Sequence, residues 1–263
     1  MRRPLVAGNW KMNLTIRESA ALVTSFLKAL EMWDRADVVL CPPYLSIPCV
    51  HALLKDSRVK LGAQNVFWEE SGAFTGKISA HMLKEAGVQY CIIGHSETRG
   101  LFGKLEVPET TVPYFAETDE TINLKLKSLL FCEIAPIFCV GETLDQREAG
   151  KTDETIAKHL HGALSGLIDV ELHPLIVAYE PVWAIGTGKT CDTAEAQRVC
   201  ALIRSELAKI SPELAESTRI LYGGSVKPNN AREIFSQPDI DGGLVGGASL
   251  NADDFKNIVM SAK

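Results

Sequence analysis

Glu180 is the residue in this sequence best placed to move a proton. It stands in "YEPVWAIGTGKT" (179–190), at the end of an aliphatic run and fixed by Pro181, which has no N–H and holds its own φ. Gly186 and Gly188 then offer hinge points, while Val182 and Trp183 supply bulk to exclude water, so the run reads as a lid. A carboxylate desolvated under such a lid has a raised pKa, which suits a general base. The run also ends in Gly-Lys-Thr, as phosphate-binding loops often do. A nucleotide loop, however, needs a glycine five positions before that triplet's glycine, where this chain has Trp183. Cys191 likewise stands where a dinucleotide fingerprint requires its third glycine. The expected chemistry is a base beside a phosphate, without a nucleotide motif.

Other residues fit the same task. His95 follows "CIIG" and precedes a helix start expected at Ser96. At a helix N-terminus the dipole disfavours imidazolium, leaving a neutral ring that donates a hydrogen bond. Lys11 alone would be a surface lysine, but just past an aliphatic strand it is placed to meet an anion. "YGGS" (222–225) and "VGGA" (245–248) offer backbone N–H groups for a phosphate.

These residues need a frame that brings them together. Eight near-continuously apolar runs end in small or polar residues: 5–9, 37–43, 59–65, 90–96, 136–142, 175–181, 219–225 and 242–248. Such runs suit parallel strands covered on both faces. Helical periodicity lies between them, at 16–30, 156–168 and 192–210, the last opening with Asp192 and Glu195 in capping-box spacing. Strict alternation means a closed barrel or an open doubly wound sheet. The length and the missing dinucleotide turn after the first strand select a single α/β domain over 1–263, a (β/α)8 barrel. Its active site would lie at the carboxyl ends of the strands. That rule collects Asn9, Lys11, Gln64, Asn65, His95, Glu97, Glu142, Glu180, Ser225, Gly246 and Gly247.

A net charge of −6 and pI near 5.6 argue against a nucleic-acid partner. Seven cysteines, odd in number and without a Cys-x-x-Cys, read as reduced thiols of a cytoplasmic protein, with no zinc site or other metal. Cys139 is expected in the core and Cys191 more exposed. The apolar run in "MRRPLVAGNW" is too short for a signal peptide, and no stretch approaches a membrane span.

In order along the chain, "GNWKMN" (8–13), "GAQNV" (62–66), "GHSETR" (94–99), "CVGE" (139–142), "AYEPVWAIGTGKT" (178–190), "YGGSV" (222–226) and "GLVGGASL" (243–250) resemble the triosephosphate isomerase family over essentially the whole chain. The resemblance implies the TIM-barrel fold. It implies interconversion of dihydroxyacetone phosphate and D-glyceraldehyde 3-phosphate through an enediolate, with no cofactor or metal, in a cytoplasmic homodimer. Asn9, Lys11, His95, Glu97 and Glu180 become the active-site residues; Gly186, Ser225, Gly246 and Gly247 become the phosphate cradle. A carboxylate base paired with a neutral histidine is carried over from the family, which is itself the standard illustration of that pairing.

Two departures bear on assembly. The family's "GHSERR" and "FTGEIS" carry an ion pair between subunits, and here Thr98 and Lys77 replace both ends. After "LFG" (101–103) an inserted loop, "KLEVPETTVPYFA" (104–116), precedes "ETDETINLKL" (117–126). Pro108 and Pro113 argue against a helix there, and Val107, Val112, Tyr114 and Phe115 give it apolar surface. It is expected beside the dimer interface, with Glu106 or Glu109 offsetting the lost pair. The alternative function is a non-catalytic phosphate-ligand binder, which would not require a base. An aldolase would need a strand-core lysine, and the strand runs offer only Lys60, at a strand's start.

Overall fold

The computed structural model describes residues 2–30, 33–101, 108–169, 171–185 and 189–262. Eight parallel strands close into a barrel in chain order. They are β1 (Leu5–Asn9), β2 (Asp37–Cys41), β3 (Lys60–Ala63), β4 (Tyr90–Ile93), β5 (Ala135–Val140), β6 (Ile176–Tyr179), β7 (Arg219–Tyr222) and β8 (Gly242–Val245). Closure is made by β1 pairing with β8, Leu5 opposite Gly242 through Gly8 opposite Val245. Most strands stop before their apolar runs do, because the polar residues at the run ends leave the ladder and enter the loops.

Alternate side chains fill two cores. Leu5, Ala7, Val39, Ile92, Ile137, Ile176, Leu221 and Leu244 pack together inside the barrel. Their neighbours in sequence, among them Val6, Val38, Ile93, Phe138 and Val177, join the larger core under the helices. Strands buried on both faces produce this continuous apolar reading.

The helices are α1 (Ile16–Leu30), α2 (Ile47–Leu54), α3 (Ala80–Glu85), α4 (Val112–Phe115), α5 (Asp119–Phe131), α6 (Leu144–Glu148), α7 (Thr152–Ala163), α8 (Thr193–Ile210), α9 (Pro212–Ser217), α10 (Ala231–Phe235) and α11 (Ala252–Ser261). In α1 the face Ser19, Val23, Phe26, Leu30 is buried. Asp192 caps α8 by accepting the Glu195 N–H at 2.8 Å. The reciprocal half of a capping box is replaced, since the Glu195 carboxylate pairs with Arg147 and Arg198.

Three sequence expectations differ from the structure. The helix expected over 156–168 runs from Thr152 to Ala163; its first turn is polar, and Gly166 takes a positive φ of 72° beyond its end. Residues 96–100 form a hydrogen-bonded turn instead of a helix, closed by Gly100 at φ 79°. In the insertion, Pro108 and Pro113 do not prevent helix: a 3-10 turn (Glu109–Thr111) leads into α4, where Pro113 lies in the first turn and forfeits no helical hydrogen bond. Residues 104–107, Glu106 among them, and the Glu109, Tyr114 and Phe115 side chains lie outside the described residues.

Candidate active site

Glu180 follows β6 and is 2% exposed. Its N–H donates to Val140 O at 2.8 Å, which binds it to the end of β5. The glycines flanking it allow that closeness: a Cβ on Gly141 would collide with the Glu180 carbonyl, and one on Gly223 would crowd its side chain. Glu180 Oε1 lies 2.8 Å from His95 Nε2, and Oε2 accepts the Ser96 N–H at 3.0 Å. Burial pushes this carboxyl upward, but His95, the Ser96 N–H and Lys11 outweigh burial and hold it below the ordinary carboxylate range. The raised pKa expected under a lid therefore does not describe this arrangement, in which the carboxylate is fully bonded.

His95 is also buried, and its tautomer is set from the other side. Nδ1 accepts the Glu97 N–H at 3.2 Å, so Nε2 carries the proton and donates to Glu180. Burial disfavours the imidazolium and Glu180 favours it; Glu180 prevails, raising the ring's pKa while that contact lasts. A second proton on Nδ1 would set N–H against N–H. The turn thus selects the Nε2–H tautomer through one backbone donor, where a helix dipole was expected to keep the ring neutral.

Lys11 takes a φ of 53°, uncommon for a side-chain-bearing residue and costly enough to need external support. Asn9 Oδ1 accepts its N–H at 3.1 Å, and the Gln64 amide holds both its carbonyl and that of Cys41 at 2.9 Å. The ammonium reaches Glu97 Oε1 at 2.8 Å. Asn9, Lys11, His95 and Glu180 all line one cleft of about 460 Å³. Gly223, Gly224, Ser225, Gly246 and Gly247 line the same cleft as a wall of small residues. Gly186 lies outside the described residues, as do 187 and 188 of the lid.

Sequence reasoning singled out Glu142 by position but missed its role as an anchor. Fully buried, it accepts the Trp183 Nε1–H at 2.9 Å and the Tyr179 hydroxyl at 3.2 Å. Arg147 stacks 4.3 Å over the Trp183 ring and pairs with Glu195 at 2.7 Å. Trp183 is therefore fastened to the loop after β5 and to α6, and through Arg147 to α8. Arg99 was also missed; it holds Gly94 O at 2.8 Å and Asp119 at 2.8 Å, bracing the end of β4. No spacing in the sequence signals either contact. Cys139 is buried and Cys191 half-buried, and all seven cysteines are free thiols. Cys191 is thus the more exposed of the two, as expected, although burial still pushes its thiol up to about 12.

A family model described as Triosephosphate isomerase matches residues 4–262. A triosephosphate isomerase of Moorella thermoacetica is 49% identical over 259 residues, covering 98% of each chain. One of Alkaliphilus metalliredigens is 48% identical, covering 98% of this chain and 99% of its own. One of Dictyoglomus thermophilum is 45% identical, with 99% and 100% covered.

Proposed function

This chain belongs to the triosephosphate isomerase family and is an isomerase of triose phosphates, and we propose that Glu180, His95, Lys11, Asn9 and Glu97 carry out its reaction. The substrate phosphate lies against Ser225, Gly246, Gly247 and Gly186, which leaves the reacting carbons beside Glu180. Glu180 takes a proton from one carbon and returns it to the next, passing through an enediolate. His95 Nε2–H donates to the substrate oxygens in turn, and Lys11 stabilises their developing negative charge. Asn9 and Glu97 hold Lys11 by its N–H and its ammonium.

The observation that carries this reading is the 2.8 Å contact between Glu180 and a His95 ring whose other nitrogen is already occupied. For catalysis Glu180 must exchange His95 and Ser96 for substrate. Closure of the lid then leaves a desolvated carboxylate without those donors, and its basicity rises. One base supplies about 10²–10⁴-fold, so charge stabilisation by Lys11 and His95 must add to it. Purified protein should interconvert the two triose phosphates, and Glu180→Gln should abolish most of the turnover. A Gln variant as fast as the parent would remove Glu180 from the mechanism.

The same reading treats 1–263 as one barrel domain of a cytoplasmic homodimer acting on small molecules, without nucleic-acid or membrane partners. Met12, Leu45, Phe74 and Met82 support the dimer: they are 96%, 81%, 43% and 50% exposed, costly positions for large apolar groups in a monomer. Lys77, which stands where the family carries an acidic residue, lies 5.7 Å from the Phe67 ring centre. Ala116, the last inserted residue, shares a cleft of about 560 Å³ with Lys77 and Thr98, which supports an insertion beside the interface. Among the described residues no helix is long and apolar enough to cross a membrane.

A further inference from the structure

The turn that carries His95 and Glu97 is held from behind by a polar cage, and we infer that Thr98 is the positioning residue through which the cage sets His95. The inference rests on the reading of His95 as proton donor. Lys125, on α5, is 4% exposed. It ion-pairs with Glu117 and donates to Asn65 Oδ1 at 2.7 Å. The Asn65 amide donates to Glu117 Oε1 at 2.9 Å, and the Tyr44 hydroxyl fixes the Asn65 carbonyl at 2.6 Å. Three elements are thereby locked around one carboxylate.

Thr98 links this cage to the active site by three contacts. The Glu117 N–H donates to Thr98 O at 3.0 Å. Thr98 Oγ1 lies 3.1 Å from Glu117 Oε2 and 2.8 Å from His95 O, so its single proton is shared between the carboxylate and the catalytic residue's own carbonyl. That carbonyl also accepts the Thr98 and Arg99 N–H groups at 2.9 and 3.1 Å. The side of His95 away from the cleft is therefore tied to Glu117 through one hydroxyl.

Charge explains the residue type. Lys125 and Glu117 already cancel in a half-dry site, so a third full charge at position 98 would need its own partner. Threonine adds a donor and no charge. The His95 turn is thus propped from within one chain.

The test is steady-state kinetics of Thr98→Val and Thr98→Ser beside His95→Gln. Valine keeps the shape and removes the hydroxyl; the expected result is kcat down roughly ten-fold with KM nearly unchanged, since small displacements of a catalytic group cost rate. Serine should restore kcat. If valine does not fold, Thr98→Ala replaces it in the same comparison. Parent-like kcat in valine or alanine would overturn the inference, as would kcat and KM changing together without rescue by serine. Collapse in His95→Gln with no change at Thr98 sinks only this inference; an active His95→Gln sinks the reading of His95 itself.

Discussion

The cleft is lined by two groups of residues built in opposite ways. In the group proposed for proton transfer every member is a side chain held by at least one named bond: Glu180 by His95 and Ser96, His95 by Glu97, Lys11 by Glu97. In the group proposed for the phosphate the wall is glycine and serine, with Lys189 and Thr190 lining the same cleft. The first group is held in place by its own bonds. The second offers small residues whose backbone can approach a phosphate. Proton transfer tolerates little positional error, whereas phosphate binding gains from being the event that closes the site.

The sharpest way to break this contrast is substitution in each group. Glu180→Gln should lower kcat by about 10³–10⁴-fold with little change in KM, because it removes a group that acts in the transition state. Ser225→Ala should instead raise KM by roughly ten-fold and leave kcat within a few-fold, since it removes a contact present in both ground and transition states. Matching effects in the two groups would erase the distinction.

A smaller effect sharpens it through pH. In the free protein Glu180 is held below its ordinary value of 4.5, while in the closed complex it loses those donors and rises. The acid limb of kcat/KM, which reports the free enzyme, should therefore lie below the acid limb of kcat. Linkage has the same origin. A depressed carboxylate contributes stability that is complete above the unfolded pKa and is lost as pH falls through the folded one. The raised His95 has the opposite sign, so the pair stabilises most between the two values. Thermal unfolding of the parent and of Glu180→Gln across that window should converge at its acid side; parallel curves would refute the assignment.

The smallest expected effect concerns the insertion. Deleting 104–116 should leave kcat within a few-fold and raise the dimer dissociation constant. Unchanged dissociation would remove the insertion from the interface.

The parts legible in the sequence share a cause. β1 and α1 match their expected bounds because an uninterrupted apolar run and a regular helical period each admit one solution. Asp192 was legible as a cap because its oxygen needs only the N–H three residues on. The 156–168 helix was misplaced at both ends because its first turn is polar and Leu164, Leu167 and Ile168 extend the pattern past its last hydrogen-bonded residue. Pro113 misled because proline forbids a helix interior, not its first turn. The candidate site could be collected from strand ends, since closure of a barrel gathers them on one face.

Sequence by itself determined the alternation of strands and helices, the barrel they close into, the list of polar groups at its rim and the family to which the chain belongs. Those follow from local pattern and from motifs in order. Only the tertiary structure decided that Glu180 is bonded rather than bare, that a backbone N–H sets the His95 tautomer, that Lys11 sits in a strained turn and that Trp183 is fastened to Glu142. The Glu180 and Trp183 contacts need atoms far apart in the chain to meet within about 3 Å, the His95 and Lys11 geometries need particular turn backbones, and no one-dimensional period carries either kind of information.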